Sequence, residues 1–183
     1  MDSIVLDVTL YAVKAILILD NDGERIIAKY YDNTFTHLKE QKQFEKKLYD
    51  KTPRSSADII MLDSMTAVFR SNVDLNFYVI GSSNENEVML NCVLNGFYDA
   101  ISTMLRKNVE KKYLMDNLDG VFLALDEVVD GGIILETDST NIISKVAIKS
   151  NPLIQNDDLP LSEQTVVQVL QSAKDQLKRS LLN

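Results

Sequence analysis

The side chains able to do chemistry are few and poorly placed to act together. The chain holds one histidine, His37, and one cysteine, Cys92, so a single Cys–His couple is the most that nucleophilic catalysis of that type has to work with. Cys92 falls in an apolar stretch with helical periodicity, where a thiol is expected to be a small, inert, buried hydrophobe. No G-x-G-x-x-G, G-x-x-x-x-G-K-[ST] or G-x-S-x-G run is present, and one His with one Cys cannot build a zinc site. Asp20-Asn21-Asp22-Gly23-Glu24 has the acidic spacing of a calcium loop. An EF-hand, however, needs Gly at loop position 6 and Glu at position 12, and counting from Asp20 those positions hold Arg25 and Tyr31. The segment therefore reads as a tight turn. The carboxylates Asp126, Glu127, Asp130, Glu136 and Asp138 cluster at an expected helix end, where charged groups are solvated rather than paired for acid–base work. No catalytic, cofactor-binding or metal-ligating residue is assigned. The chain reads as a non-enzyme.

Charge and composition narrow the partners. The 183 residues carry 19 Lys plus Arg against 27 Asp plus Glu, a formal net charge of −8 that opposes non-specific attraction to nucleic acid. One region runs against this trend: Lys39, Lys42, Lys46, Lys47, Lys51 and Arg54 outnumber Glu40, Glu45 and Asp50 and give a local basic face. The longest apolar stretch, Ala12 to Leu19, is broken by Lys14 and is far shorter than the roughly 20 residues of a membrane span. A lone cysteine and a start without a basic segment lead to the expectation of a cytosolic address.

The elements that must position these residues follow from periodicity. Val13 to Leu19 reads as a buried strand, turned by Asp20–Gly23 into a second strand over Glu24 to Tyr31. Thr36 to Lys51 reads as a mostly exposed helix anchored by Leu38, Phe44 and Leu48. Three strands follow at short spacing, Ile59 to Leu62, Ala67 to Arg70 and Leu75 to Ile80. The period then changes to 3.6, with Leu90, Val93, Leu94, Phe97, Ile101, Met104 and Leu105 on one face and Asn84 as the expected cap. A second helix is expected over Val109 to Val129, kinked at Asp119-Gly120 and stopped by Asp130-Gly131-Gly132, and a loop plus one helix over Ile133 to Lys149. The fold class is α/β of the α+β type, with a mostly antiparallel five-stranded sheet. Three segments are expected: a domain over 1–149, a linker over 150–160 and a C-terminal amphipathic helix over 161–183, whose stripe is Val166, Leu170, Ala173, Leu177 and Leu181.

The helix at Leu90 has apolar or small residues on two faces, which is more than one sheet face covers. That surplus, with the stripe of the helix after it, sets the expected partner interface at Met89, Leu90, Val93, Phe97, Leu118 and Phe122.

An ordered series of segments resembles the small chains of vesicle coats, the coatomer zeta subunits and, more distantly, the clathrin-adaptor sigma chains. The series comprises Leu10 to Arg25, Ala28-Lys29-Tyr30-Tyr31, Asn76 to Ser83, Arg106 to Lys111, Leu125 to Glu136 and Leu161 to Thr165. The resemblance implies a longin-like five-stranded antiparallel sheet flanked by helices. It also implies a non-catalytic subunit of the COPI coat without cofactor, paired as a heterodimer with the large coatomer gamma subunit. Further coatomer subunits and an indirect link to an Arf-family GTPase would follow, with membrane contact only through the coat, at the cytosolic face of the Golgi, in retrograde transport. Asn108-Val109 matches a pair that helps form the dileucine-signal pocket of sigma chains. Arg25, by contrast, stands one residue earlier than the sigma arginine, and strict strand alternation then turns it to the opposite face. The competing readings are a sigma-type or other longin-type trafficking module and a small hydrolase built on the acidic cluster.

Overall fold

The computed structural model describes residues 10–52 and 58–150. Contacts divide the chain into two units, Met1–Val146 and Ala147–Asn183, and of the second only residues 147–150 are described. The expected 150–160 linker and 161–183 helix lie outside the described residues, apart from Ser150.

β1 (Val13–Asp20) is apolar on both sides, and every residue but Lys14 is buried. A strand of this kind belongs at the centre of a sheet covered on both faces. It pairs antiparallel with β2 (Arg25–Tyr30) through the Asp20–Gly23 turn, where Gly23 takes φ +75°. The sheet continues with β3 (Ile59–Leu62), β4 (Met65–Asn72) and β5 (Leu75–Ser82), in the order β2-β1-β5-β4-β3 with every pairing antiparallel. The β3–β4 turn places Asp63 and Ser64 both at positive φ, the geometry that matches the right-handed twist of a hairpin. Because β2 and β3 lie at opposite edges, the chain between them must cross the sheet, and α1 (Leu38–Lys51) occupies that crossing.

Side-chain alternation along the strands separates two cores. Ala15, Leu17, Leu19, Ile60, Leu62, Met65, Ala67, Phe69, Tyr78 and Ile80 pack beneath Phe44 and Leu48 of α1. Val13, Ile16, Ile18, Val68, Leu75, Phe77 and Val79 face the other way, toward α2 (Glu87–Met104). A register shift between Val13 and Ala15 puts Val13 and Ile16 in the same core despite their odd spacing. α2 starts at Asn86, whose side chain accepts from the Val88 and Met89 amides, rather than at Asn84 as expected; the capping oxygen must precede the helix by one residue to reach those donors.

The single expected helix over Val109 to Val129 is two helices, α3 (Lys111–Met115) and α4 (Leu118–Val128), broken at Asp116-Asn117 rather than kinked at Asp119-Gly120. The Lys111 amide is held by the Asp74 carboxylate on the β4–β5 turn, while α4 packs along α2, so one straight helix cannot satisfy both. Asp130-Gly131-Gly132 does end α4, with both glycines at positive φ, in a small hairpin of β6 (Val129–Asp130) and β7 (Ile133–Ile134). The Gly132 carbonyl accepts from the Val13 amide at 3.1 Å and ties that hairpin to β1. α5 (Ser139–Ser150) then adds Ile142 and Val146 to the second core.

α2 is therefore enclosed by the sheet, by α4 and by the segment entering α5. A Cβ built on Gly96 would stand 2.1 Å from the Thr137 carbonyl oxygen, a contact with backbone that no rotamer change relieves. Gly96→Ala is expected to lower stability by about 2–3 kcal/mol, read as a shifted urea midpoint at unchanged slope.

Candidate partner interface

The expected interface residues separate into two groups. Leu90, Val93 and Phe97 are fully buried in the chain's own core, against the sheet on one side and the α4 and α5 layer on the other. This corrects part of the premise that the apolar faces of α2 exceed what the chain itself can cover, because α4 and the Thr137 segment cover the second face at Gly96 and Ala100, while Met89 stays half-buried and Cys92 exposed. Met89 and Leu118 are half-buried. Phe122 remains 47% exposed, on the outer side of α4 one turn from Leu118. Exposed Met115 and Tyr113 on α3, and Val88 beside Met89 on α2, were not singled out by periodicity. The signal for Met115 was present in its spacing to Leu118 and Phe122, but which side of a helix faces outward is decided only by packing.

Cys92 is exposed on α2 rather than buried, since the buried arc of that helix runs through Leu90, Val93, Leu94 and Phe97 and passes it by. His37 caps α1 on the other face of the sheet, so the sheet stands between the one histidine and the one cysteine. Leu38, expected as an anchor of α1, is 58% exposed, and Glu45 is buried instead. The carboxylates at the end of α4 are engaged by two different lysines. Asp126 pairs with Lys29 of β2 at 2.5 Å, and Lys145 lies 3.9 Å from Glu127 and 3.5 Å from Glu136. Among the described residues no group of three or more His, Cys, Asp or Glu is arranged to hold a metal ion, and no helix is long and apolar enough to cross a membrane.

Two polar constellations fix the framework around these surfaces. In the first, Arg25 lies against α1, with its guanidinium 2.5 Å from Glu45 Oε1 and donating to Gln41, while the Tyr30 hydroxyl donates to Glu45 at 2.9 Å. Burial, followed by the nearby Glu45 charge, pushes the Tyr30 hydroxyl well above its ordinary pKa. Strict alternation would have put Arg25 on the face of Ile27 and Lys29; a bulge between Ile18 and Leu19 turns it to the face of Ala28 and Tyr30. The one-residue offset from the sigma pattern therefore does not decide its direction.

In the second, three connections meet at one end of the sheet. Asp20 accepts from the amides of Asp22 and Glu24 at 2.9 Å and from Lys111 Nζ at 2.7 Å. Asn21 donates to the Val73 carbonyl, and Asn72 donates to the Val109 carbonyl at 2.9 Å. The approach is set by Arg106 and Lys107, both at positive φ, which end α2 and turn the chain toward Asp74. Burial raises the Asp20 carboxyl, but the hydrogen bonds from Lys111, Glu24 and Asp22 outweigh it and hold its pKa below the usual carboxylate value.

With this geometry in view, residues 12–152 match the family described as the clathrin adaptor complex small chain. The chain is 56% identical to human coatomer subunit zeta-1 over 182 residues, covering 100% of this chain and 99% of that one. It is 53% identical to mouse coatomer subunit zeta-2, over 95% of this chain and 82% of that one, and 45% identical to the zeta-2 subunit of Arabidopsis thaliana, over 93% and 95%. A chain of a homology model of the full-length AP-3 complex in a stretched open conformation superposes with a TM-score of 0.59 at 18% identity, covering 75% of this chain and 96% of that chain, a likeness of fold. The chain belongs to the clathrin adaptor small-chain family, in its coatomer zeta branch. The five-stranded antiparallel sheet flanked by helices is the fold that the resemblance implied.

Native chain is expected to react at Cys92 with a thiol reagent without denaturant, whereas slow reaction would show a covered side chain. The negative charge of Asp20, which strengthens its bonds from the Asp22 and Glu24 amides and holds Lys111, is expected to contribute about 2 kcal/mol, lost in Asp20→Asn, which keeps the Oδ1 acceptor but neither the charge nor Oδ2. Because the folded-state pKa is depressed, that contribution is present above the unfolded value of about 3.9 and disappears as pH falls through the folded value. Urea midpoints of wild type and variant should therefore converge below about pH 4. Lys111→Met should have the smaller effect, since its ammonium is exposed to solvent.

Proposed function

We propose that the chain is a non-catalytic structural subunit of the coatomer (COPI) vesicle coat, pairing with the large gamma subunit in retrograde Golgi-to-ER and intra-Golgi transport. The observation that carries this reading is the 56% identity to a coatomer zeta subunit along the whole chain. Further coatomer subunits would complete the assembly, and an Arf-family GTPase would recruit it to the cytosolic face of Golgi membranes. A stable subunit interface needs an apolar, desolvated centre. Phe122 and Leu118 on α4, with neighbouring Met115, offer that chemistry, and Met89 lies beside exposed Val88 on α2. Buried Leu90, Val93 and Phe97 support the interface from behind by holding α2 and through it α4.

Affinity isolation of the tagged chain is expected to recover a large α-solenoid chain and further coat subunits. Leu118→Asp with Phe122→Asp should weaken that recovery by about 30-fold or more, as loss of an interface anchor does. Leu118 packs partly on the core, so the double variant should lower the urea midpoint of the isolated chain, whereas Phe122→Asp alone, at an exposed position, should weaken recovery with the midpoint little changed. Full recovery of the large chain by the double variant would remove α4 from the interface, and isolation of the wild type without any coat subunit would remove the coat reading.

A further inference from the structure

We propose that the outward face of α1 is a docking surface for the anionic phospholipid headgroups of a membrane. Lys39, Lys42 and Lys46 are exposed at i, i+3 and i+7, and with Leu38 and Gln43 they line one open, shallow surface on the side of α1 away from Phe44 and Leu48. Their ammonium groups make no ion pair or hydrogen bond among the described residues. Neighbouring lysines behave differently: Lys47 pairs with Asp63 at 3.0 Å, Lys51 donates to the Met61 carbonyl, and Lys14 pairs with Asp32. Three unpaired cations at helical spacing give this face a local positive charge on an otherwise acidic chain.

The acids near this face do not cancel it. Glu40 turns back to the His37 amide, and Glu45 is buried against Arg25 and Tyr30. Asp50, one turn beyond Lys46, lines the adjoining hollow with Asp22, Glu24, Lys42 and Lys46, but among the described residues no ion pair joins these carboxylates to either lysine. The net charge of −8 is distributed over the whole chain, and charges across the sheet lie about a Debye length away, where salt screens them.

The form of the face favours a lipid surface over an acidic protein segment. Lysine is a point charge suited to loosely placed phosphates, whereas paired recognition of carboxylates uses the arginine fork, and no arginine lines this surface. The surface lined by Leu38, Lys39, Lys42, Gln43 and Lys46 is open and shallow, which suits a headgroup layer more than an enclosed peptide. Leu38, 58% exposed at its N-terminal end, supplies an apolar group for the headgroup boundary. α1 also lies across the sheet from α4, so a partner on Phe122 leaves this face open. The binding is a property of the isolated chain and is tested without coat partners, whereas its use in a many-copy assembly rests on the coat reading.

Three lysines give weak binding, half-saturated at roughly 10 mM accessible lipid and useful in an assembly with many copies. The isotope-labelled full chain, titrated with bicelles of phosphatidylcholine and about 30% phosphatidylserine, should show amide shifts confined to Leu38–Lys46. These shifts should be absent with phosphatidylcholine alone and lost at about 0.5 M NaCl. Lys39→Gln, Lys42→Gln and Lys46→Gln together should weaken the effect on the order of 100-fold, about fivefold for each lysine, with an unchanged urea midpoint. The charge-reversed triple variant should abolish it. Equal shifts with neutral bicelles, shifts elsewhere only, or an unaffected glutamine variant would overturn the proposal. So would inorganic phosphate reproducing the full effect at the same phosphate concentration, or poly-glutamate shifting α1 while the anionic bicelles do not.

Discussion

Because β1 and its neighbour β5 are apolar on both faces, the sheet requires cover on each side, and the remaining architecture answers that requirement. α1 supplies one cover with two large side chains, Phe44 and Leu48. The other cover is deeper: α2 lies on β4 and β5, with α4 and the start of α5 behind it. The close approach of the Thr137 backbone to Gly96 is a consequence of that second layer, since only a residue without Cβ lets a third segment reach α2.

The order of the strands sets what else has to be held. Placing β1 beside β5 brings the β1–β2 turn, the β4–β5 turn and the exit from α2 to one end of the sheet, where their backbone groups must find partners. Asp20, Asn72 and Asp74 provide them. On the α1 side the buried Glu45 is compensated by Arg25 and the Tyr30 hydroxyl, an arrangement that fixes the position of α1 more than it adds to stability.

The two covers leave outer surfaces of different chemistry. The α4 side ends in Phe122 and half-buried Leu118, apolar groups for which an isolated domain has little use. The α1 side ends in lysines. The sheet keeps the two apart, so contacts made on one side do not compete sterically with contacts made on the other.

The sequence by itself determined the five strands of the main sheet, α1, α2 and α5, the hairpin at Asp20–Gly23 and the family, because those follow from periodicity, turn chemistry and an ordered series of segments. It located α2 to within a residue or two of its buried arc. Only the tertiary structure decided which apolar residues are surface. Leu90, Val93 and Phe97 share the 3.6-residue period with any amphipathic helix, and the layer that covers them comes from α4 and α5, beginning 21 positions after Phe97. The same limit applies to Cys92, to the break at Asp116-Asn117 and to the bulge that turns Arg25. Periodicity reports that a face is apolar, or that a strand alternates. What packs on the face, and where a register slips, depends on the pairing of distant segments.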